Sequence, residues 1–205
     1  MATILEELDV KLEFADLYKR IPLRRGPVPQ ERTHGVHQSG ILTYIARKIK
    51  ILGPDEKPED EYPLIWALGQ AWEEFCVSLY PEIDWQPGEM CKNEIWRSID
   101  GINPHGLERL FDCSMTGPVI EEFKYTHKKV RCGQEFLDEW MWMHQGRGYC
   151  SALETIWVRW HVMYTRGDYK TFGPVYRRYL VEFTNKEIEQ TEAMLVMNRD
   201  KVVSE

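Results

Sequence analysis

The chain has 205 residues, 43% of them hydrophobic, and a net charge of -7. That length carries one large domain, or a domain with an extension, and buries a core without disulfide or metal staples. The acidic balance argues against a nucleic-acid coat protein, and the apolar fraction argues against global disorder.

Residues 1–20 fit a short helix or strand, and residues 21–40 read as extended loop because Pro and Gly punctuate them. Ser39 is placed to cap a helix over 40–51, where Ile41, Leu42, Ile45 and Ile49 recur at helical spacing and Gly53-Pro54 ends the run. The acidic stretch 55–61 suits a solvated loop. Pro63 opens a second helix, about 63–80, on which Leu64, Leu68, Trp72, Phe75 and Leu79 form a buried stripe. The period then changes. Residues 83–90, 93–102 and 107–113 read as short strands, and 118–126 as a longer one. Alternation puts Val119, Glu121, Phe123 and Tyr125 on one face of that strand and Ile120, Glu122 and Lys124 on the other. A helix over 134–150 carries Phe136, Leu137, Trp140 and Met143, and Met141, Trp142 and Met143 read as core. Residues 154–165 and 175–183 are β-branched and aromatic, hence strands. Thr184 or Asn185 caps a last helix with Glu187 near its start. The order predicts a mixed α/β fold, helices packed on a central mixed sheet. It divides into an N-terminal extension, 1–62, with a helix packing on the core, and a core of 63–205.

The five cysteines (Cys76, Cys91, Cys113, Cys132, Cys150) are odd in number and form no Cys-x-x-Cys pair. Zinc ribbons are therefore not expected, and free thiols in a reducing compartment are. No segment approaches the ~20 apolar residues of a membrane span, and Glu6, Glu7 and Asp9 stand where a leader would be apolar. The expectation is a cytoplasmic protein with no membrane partner. Charge is uneven: residues 124–131 hold Lys124, His127, Lys128, Lys129 and Arg131 with no acid among them. Set just after the 118–126 strand, Lys128, Lys129 and Arg131 suit phosphate contacts as well as a solvated turn. Arg159, Arg166, Lys170, Arg177 and Arg178 form a second, diffuse basic group. His34 and His37 stand three apart in a loop, a conceivable metal pair though more often structural or exposed.

The chemistry concentrates between Ile99 and Lys124. Asp100 ends a strand, and Glu122 and Lys124 lie roughly 7 Å apart on one strand face. Asp100 and Glu122 are hard oxygen ligands that suit Mg²⁺ or Mn²⁺, and the carbonyl of Phe123 could be a third. Lys124 would orient or help deprotonate an attacking water. Each pattern has a plainer reading: Asp100-Gly101 as a turn, Glu122 with Lys124 as a surface charge pair. Asp100 followed by Glu122-x-Lys124 resembles the PD-(D/E)xK nuclease superfamily, with Ile99 in place of its first Pro. Gly69-Gln-Ala-Trp-Glu73 resembles the glycine-to-acid helix motif of RecB and phage lambda exonucleases, a spacing that favours Glu73 over Glu74. Gln145-Gly-Arg-Gly-Tyr149 resembles the Gln-x-x-x-Tyr motif of the RecB-like branch, on the helix after the Glu-x-Lys strand. The resemblance spans about residues 63–185.

It implies a restriction-endonuclease-like core and a Mg²⁺- or Mn²⁺-dependent deoxyribonuclease of the exonuclease kind, hydrolysing DNA phosphodiesters in recombination, repair or phage DNA processing. The catalytic set is then Glu73, Asp100, Glu122 and Lys124. Glu73, Asp100, Glu122 and the Phe123 carbonyl hold the metal, and Gln145 and Tyr149 contact nucleic acid. The implied partners are linear DNA or single-stranded ends, a recombination protein or further copies of the chain, in a bacterial or phage-infected cell. Iron–sulfur relatives use one upstream and three clustered downstream cysteines. That pattern is missing, so no iron–sulfur cluster is expected. The alternative is a catalytically inactive nuclease-fold module that binds DNA or protein.

Overall fold

The computed structural model describes residues 1–10, 35–53, 63–106, 117–165 and 174–203. In chain order these form β1 (Thr3–Val10), β2 (Val36–His37), α1 (Gln38–Lys48), α2 (Pro63–Leu79), β3 (Asp84–Trp85), β4 (Glu89–Lys92), β5 (Ile95–Ser98) and β6 (Gly101–Asn103). There follow β7 (Val119–Thr126), α3 (Gln134–Leu137), α4 (Trp140–Leu153), β8 (Trp157–Tyr164), β9 (Val175–Glu182) and α5 (Asn185–Val203). The strand expected over 107–113, the acidic loop 55–61, His34 and Cys113 lie outside the described residues.

Six strands make a central mixed sheet in the order β1-β9-β8-β7-β6-β3. β7 and β8 are parallel, because the segment between them crosses over through α3 and α4; the other pairs are antiparallel. A second sheet, β2-β5-β4, is small. The mixed α/β architecture read from the element order is present, with helices on both faces. The first ten residues are an edge strand of the central sheet, paired with β9 from Thr3↔Glu182 to Val10↔Tyr176.

β7 alternates as its sequence predicts, but both faces are covered. On one, Ile120 shares a core with Phe136, Met143, Tyr149, Trp160 and Val162. On the other, Phe123 packs with Trp72 and Cys76 of α2. Hence Glu121 and Glu122 are both buried, at 0% and 1% exposed, which two-sided burial forces on any acid in this strand. α1, α4 and α5 pack on one another to form a helical layer over the first face.

The strands expected over 83–90 and 93–102 are each two, β3 with β4 and β5 with β6, one of each pair in either sheet. Three further boundaries differ from expectation. The helix expected over 134–150 is two. Phe136 stacks on Tyr179 of the sheet at 3.8 Å, whereas Trp140, four residues on, packs toward Ile41 and Ile45 of α1. One continuous helix would put both on the same face, so the chain breaks at Asp138–Glu139. α1 starts at Gln38 directly from β2, and Ser39 lies inside its first turn rather than capping it. It stops at Lys48, where Lys50 takes a left-handed conformation (φ 61°) and Ile51 and Leu52 donate back to the Ala46 carbonyl. α4 runs on to Leu153, so β8 starts only at Trp157. The last helix is capped as a box: Glu187 N donates to Thr184 Oγ1 at 3.3 Å, and Thr184 N donates to Glu187 Oε2 at 3.1 Å. No described helix is long and apolar enough to cross a membrane. Among the described cysteines, Cys76, Cys91, Cys132 and Cys150 are free thiols.

Candidate active site

Asp100 sits where the chain leaves the small sheet after β5 and enters the large one at β6. Gly101 is a strand residue rather than a turn. A Cβ there would lie 2.5 Å from Ile83 Cγ2, so only glycine lets β6 lie this close to the segment before β3. The antiparallel ladder of β6 with β7 ends at Gly101↔Glu121. The N–H of Phe123, two residues further along β7, has no strand partner on that side. Asp100 takes it instead, through Oδ2 at 2.9 Å. The carboxylate is thereby held against the backbone of the Glu122–Lys124 segment.

Glu122 is 1% exposed, and its Oε1 lies 2.7 Å from Lys124 Nζ. Its Oε2 is buried with no hydrogen-bond partner among the described residues. Glu73 arrives from α2 and accepts from Trp85 Nε1 at 2.5 Å and Gln86 Nε2 at 3.3 Å. Gln86 also donates its backbone N–H to the Asp100 carbonyl at 2.8 Å, tying the segment that holds Glu73 to the residue bearing the second carboxylate. Trp85 and Gln86 were not legible in the sequence as site residues, since nothing local marks an indole or an amide as a carboxylate's partner.

The four groups feel one another. Burial first, and then the charge of Asp100, push both Glu73 and Glu122 from the ordinary carboxylate value up to about 8, against the opposing pull of Lys124. Among the described residues, no three His, Cys, Asp or Glu are grouped closely enough, as they stand, to hold a metal ion. Each carboxylate instead leans on a partner of its own: Phe123 N–H, Lys124, or Trp85 with Gln86. The plainer reading of Glu122 with Lys124 as a surface pair does not hold, because the glutamate is interior. The residues fit a divalent cation on two counts. The donors are hard oxygens, and the buried Glu122 Oε2 and the raised carboxylates mark an excess of interior negative charge.

This arrangement has a consequence for stability. Between about 4.5 and about 8 the folded chain retains protons on Glu73 and Glu122 that the unfolded chain has released. Folding is therefore disfavoured as pH rises through that window. Half-buried His144, lowered to about 4, and interior His161, also lowered by burial, act in the opposite sense and weaken the fold only below about 6.5. Urea unfolding in chelator should show stability falling from pH 6.5 to 8, with millimolar Mn²⁺ flattening the slope. A flat profile in chelator would remove the carboxylate cluster.

Gln145 and Tyr149 lie on α4, Gln145 Nε2 donating to Tyr149 Oη at 2.7 Å. Tyr149 belongs to the same core cluster as Ile99 and Ile120, the neighbours of Asp100 and Glu122. Lys128 and Arg131 flank Glu139, Lys128 at 2.7 Å and Arg131 Nε at 3.2 Å, and Lys128 also lies over the Trp142 ring. Lys129 is exposed. This basic group directly follows β7, with two of its cations on one acid and Lys129 in solvent. In the second basic group, the described cations are all engaged by acids. Arg159 is buried on Glu121 at 2.6 Å, and Arg177 and Arg178 pair with Glu7 and Glu6; Arg166 and Lys170 lie outside the described residues. His37 lies 3.5 Å from Glu89.

No family model and no curated protein matches the chain. The crystal structure of SSO0001 superposes with a TM-score of 0.43 at 11% identity, covering 82% of this chain and 77% of that one. A likeness that slight carries no argument about fold or function.

Proposed function

We propose that the chain is a metal-dependent deoxyribonuclease of the PD-(D/E)xK kind, with a restriction-endonuclease-like core and the RecB-like, lambda-exonuclease-like set of motifs. One observation carries the reading. Glu73, Asp100, Glu122 and Lys124, scattered over 52 positions of sequence, meet in one electrostatic cluster, with Glu122 interior and half unsatisfied.

Glu73, Asp100 and Glu122, with the carbonyl of Phe123, would hold Mg²⁺ or Mn²⁺. When bound, the ion supplies Lewis acidity at the phosphoryl oxygen and lowers the pKa of water. The chain's own residues do the rest. Lys124, held 2.7 Å from Glu122 at the edge of the interior, positions the nucleophilic water and offsets the charge that builds on phosphate. Asp100 is held by the Phe123 N–H, so its carboxylate does not swing away. Gln145, half-buried and joined to the buried Tyr149 hydroxyl, would present its amide to a strand, with Tyr149 behind it. Lys128, Lys129 and Arg131 meet backbone phosphates beyond it. Linear DNA or a single-stranded end is the substrate this reading favours, in recombination, repair or phage DNA processing.

The test is hydrolysis of end-labelled linear DNA with Mg²⁺ or Mn²⁺. Lys124→Ala should cut the rate about a hundredfold or more, as loss of one preorganised charge at a phosphoryl centre does. No cleavage with either metal, or equal cleavage by the variant, overturns the proposal. DNA binding without cleavage under any metal would favour the inactive module.

A further inference from the structure

We infer that Gln38 is a positioning residue for the Gln145–Tyr149 pair: its side-chain amide fixes the turn of α4 that carries both. The inference rests on the nuclease reading above and deepens it, by making α1 part of the strand-contacting site.

Gln38 is 2% exposed. Its Nε2 donates to the His144 carbonyl at 3.2 Å and to the Gln145 carbonyl at 3.0 Å. Its Oε1 accepts from Arg97 Nε at 3.0 Å, and since a guanidinium only donates, this fixes which way the amide points. Arg97 is itself 1% exposed. It is held by Glu192 Oε2 of α5 at 2.6 Å and by the Lys92 and Ile95 carbonyls at 3.2 Å each. A chain of directional bonds thus runs from α5 through β5 and α1 to the backbone of Gln145.

The glycines of Gln145-Gly-Arg-Gly-Tyr149 make room for this grip. A Cβ on Gly148 would lie 2.4 Å from Gln38 Nε2, and one on Gly146 would lie 2.7 Å from the Trp160 ring. The turn is therefore seized from two sides, by an amide and by an indole. Glycines weaken a helix interior relative to alanine. A buried amide and guanidinium are also a dearer way to join helices than apolar side chains of the same volume. Apolar packing, however, does not fix the rotation of α4 about its axis, whereas two hydrogen bonds to successive carbonyls do. That rotation decides where Gln145 and Tyr149 point.

Two variants of the full chain test this. Gln38→Met removes both donors at similar volume. Gln38→Glu retains an acceptor for Arg97 but offers none of the N–H groups α4 needs. Three quantities are read: affinity for a fluorescent duplex with a single-stranded end in Ca²⁺, the rise in Tm on adding Mn²⁺ alone, and hydrogen exchange of amides 146–150. Expected for either variant is a loss of DNA affinity of about ten- to a hundredfold, faster exchange over 146–150, and an unchanged Mn²⁺-induced rise in Tm. Unchanged DNA affinity overturns the inference. So does a Mn²⁺ response lost in step with DNA affinity, which a general loosening of the fold would give. If the unsubstituted protein neither binds this DNA nor responds to Mn²⁺, the nuclease reading fails on its own. Exchange over 146–150 then decides the grip: unchanged exchange in Gln38→Met refutes it. Should Gln38→Met not fold, Gln38→Glu carries the same three readouts.

Discussion

Glu122→Gln is expected to cut the proposed metal-dependent hydrolysis about 10³-fold and, in the same protein without metal, to raise stability above pH 8. The two effects share one cause. Glu122 is 1% exposed, its Oε2 has no hydrogen-bond partner among the described residues, and burial and the Asp100 charge hold it at about 8. The group is kept in a place where ionising it is costly, which is useful only if a cation arrives. Replacing it by an amide of the same shape removes the ionisation. Above pH 8 this recovers on the order of a few kcal/mol, the size of a raised carboxylate's penalty. Lys124 keeps an acceptor, the amide oxygen, and is not stranded. On the proposed reading a bound metal would lose an anionic ligand, and about 10³-fold in rate would go with it if the ion supplies several kcal/mol at the transition state. Chemical unfolding at pH 9 in chelator and the linear-DNA assay read the two halves. A variant that is both inactive and less stable at pH 9 would mean that Glu122 is a structural pair with Lys124 and no ligand.

Its neighbour should behave in the opposite way. Glu121 is 0% exposed and points to the other face of β7, where it is fully satisfied. Arg159 Nη1 donates to Oε1 at 2.6 Å, and His161 Nε2 meets Oε2 at 2.8 Å; Arg159 Nη2 also donates to the Gly106 carbonyl. His161 continues through Nδ1 to the Tyr176 hydroxyl at 2.6 Å, and its carbonyl accepts from the indole of Trp72, next to Glu73. Arg159→Met therefore leaves an uncompensated interior carboxylate. It should cost about 3–5 kcal/mol, a fall in Tm of roughly 6–20 °C for a chain of this size. Glu121→Leu combined with Arg159→Met should recover a good part of that, since the stranded charge is then gone. Thermal unfolding of the single and double variants is the measurement, and a loss below about 1 kcal/mol for Arg159→Met would show the pair to be solvated. Two adjacent glutamates thus carry opposite signs: one stabilises by its partners, the other destabilises until a cation is present.

The alternation of β7 put Glu122 and Lys124 on one face from sequence alone, and the structure keeps them there. The helical stripe of 63–80 gave α2, and the Thr184–Glu187 spacing gave the last cap. These features depend on short-range geometry: the two-residue period of a strand, the 3.6-residue turn of a helix, and a side chain reaching three residues ahead. Pattern alone also singled out Asp100, Glu73, Gln145 and Tyr149, because their spacings resemble a known arrangement.

Other features were set by partners distant in sequence. Sequence gave no sign that Arg159 faces Glu121 across 38 positions, so it read as part of a basic surface. The break at Asp138–Glu139 follows from Phe136 and Trp140 serving different layers, which a helical period over 134–150 cannot express. Trp85 and Gln86 hold Glu73 only because β3 lies beside α2, and Gln38 reaches Gln145 across 107 residues. As for Asp100, Glu122 and Lys124, the sequence by itself determined that an acid and an acid–lysine pair stand at a chemically useful spacing. Tertiary structure decided that Glu122 is interior, that Asp100 is pinned by the Phe123 N–H where a ladder runs out, and that Glu73 joins them. The physical reason is that burial, and with it the cost of charge, is set by what the rest of the chain packs against a residue rather than by its neighbours in sequence.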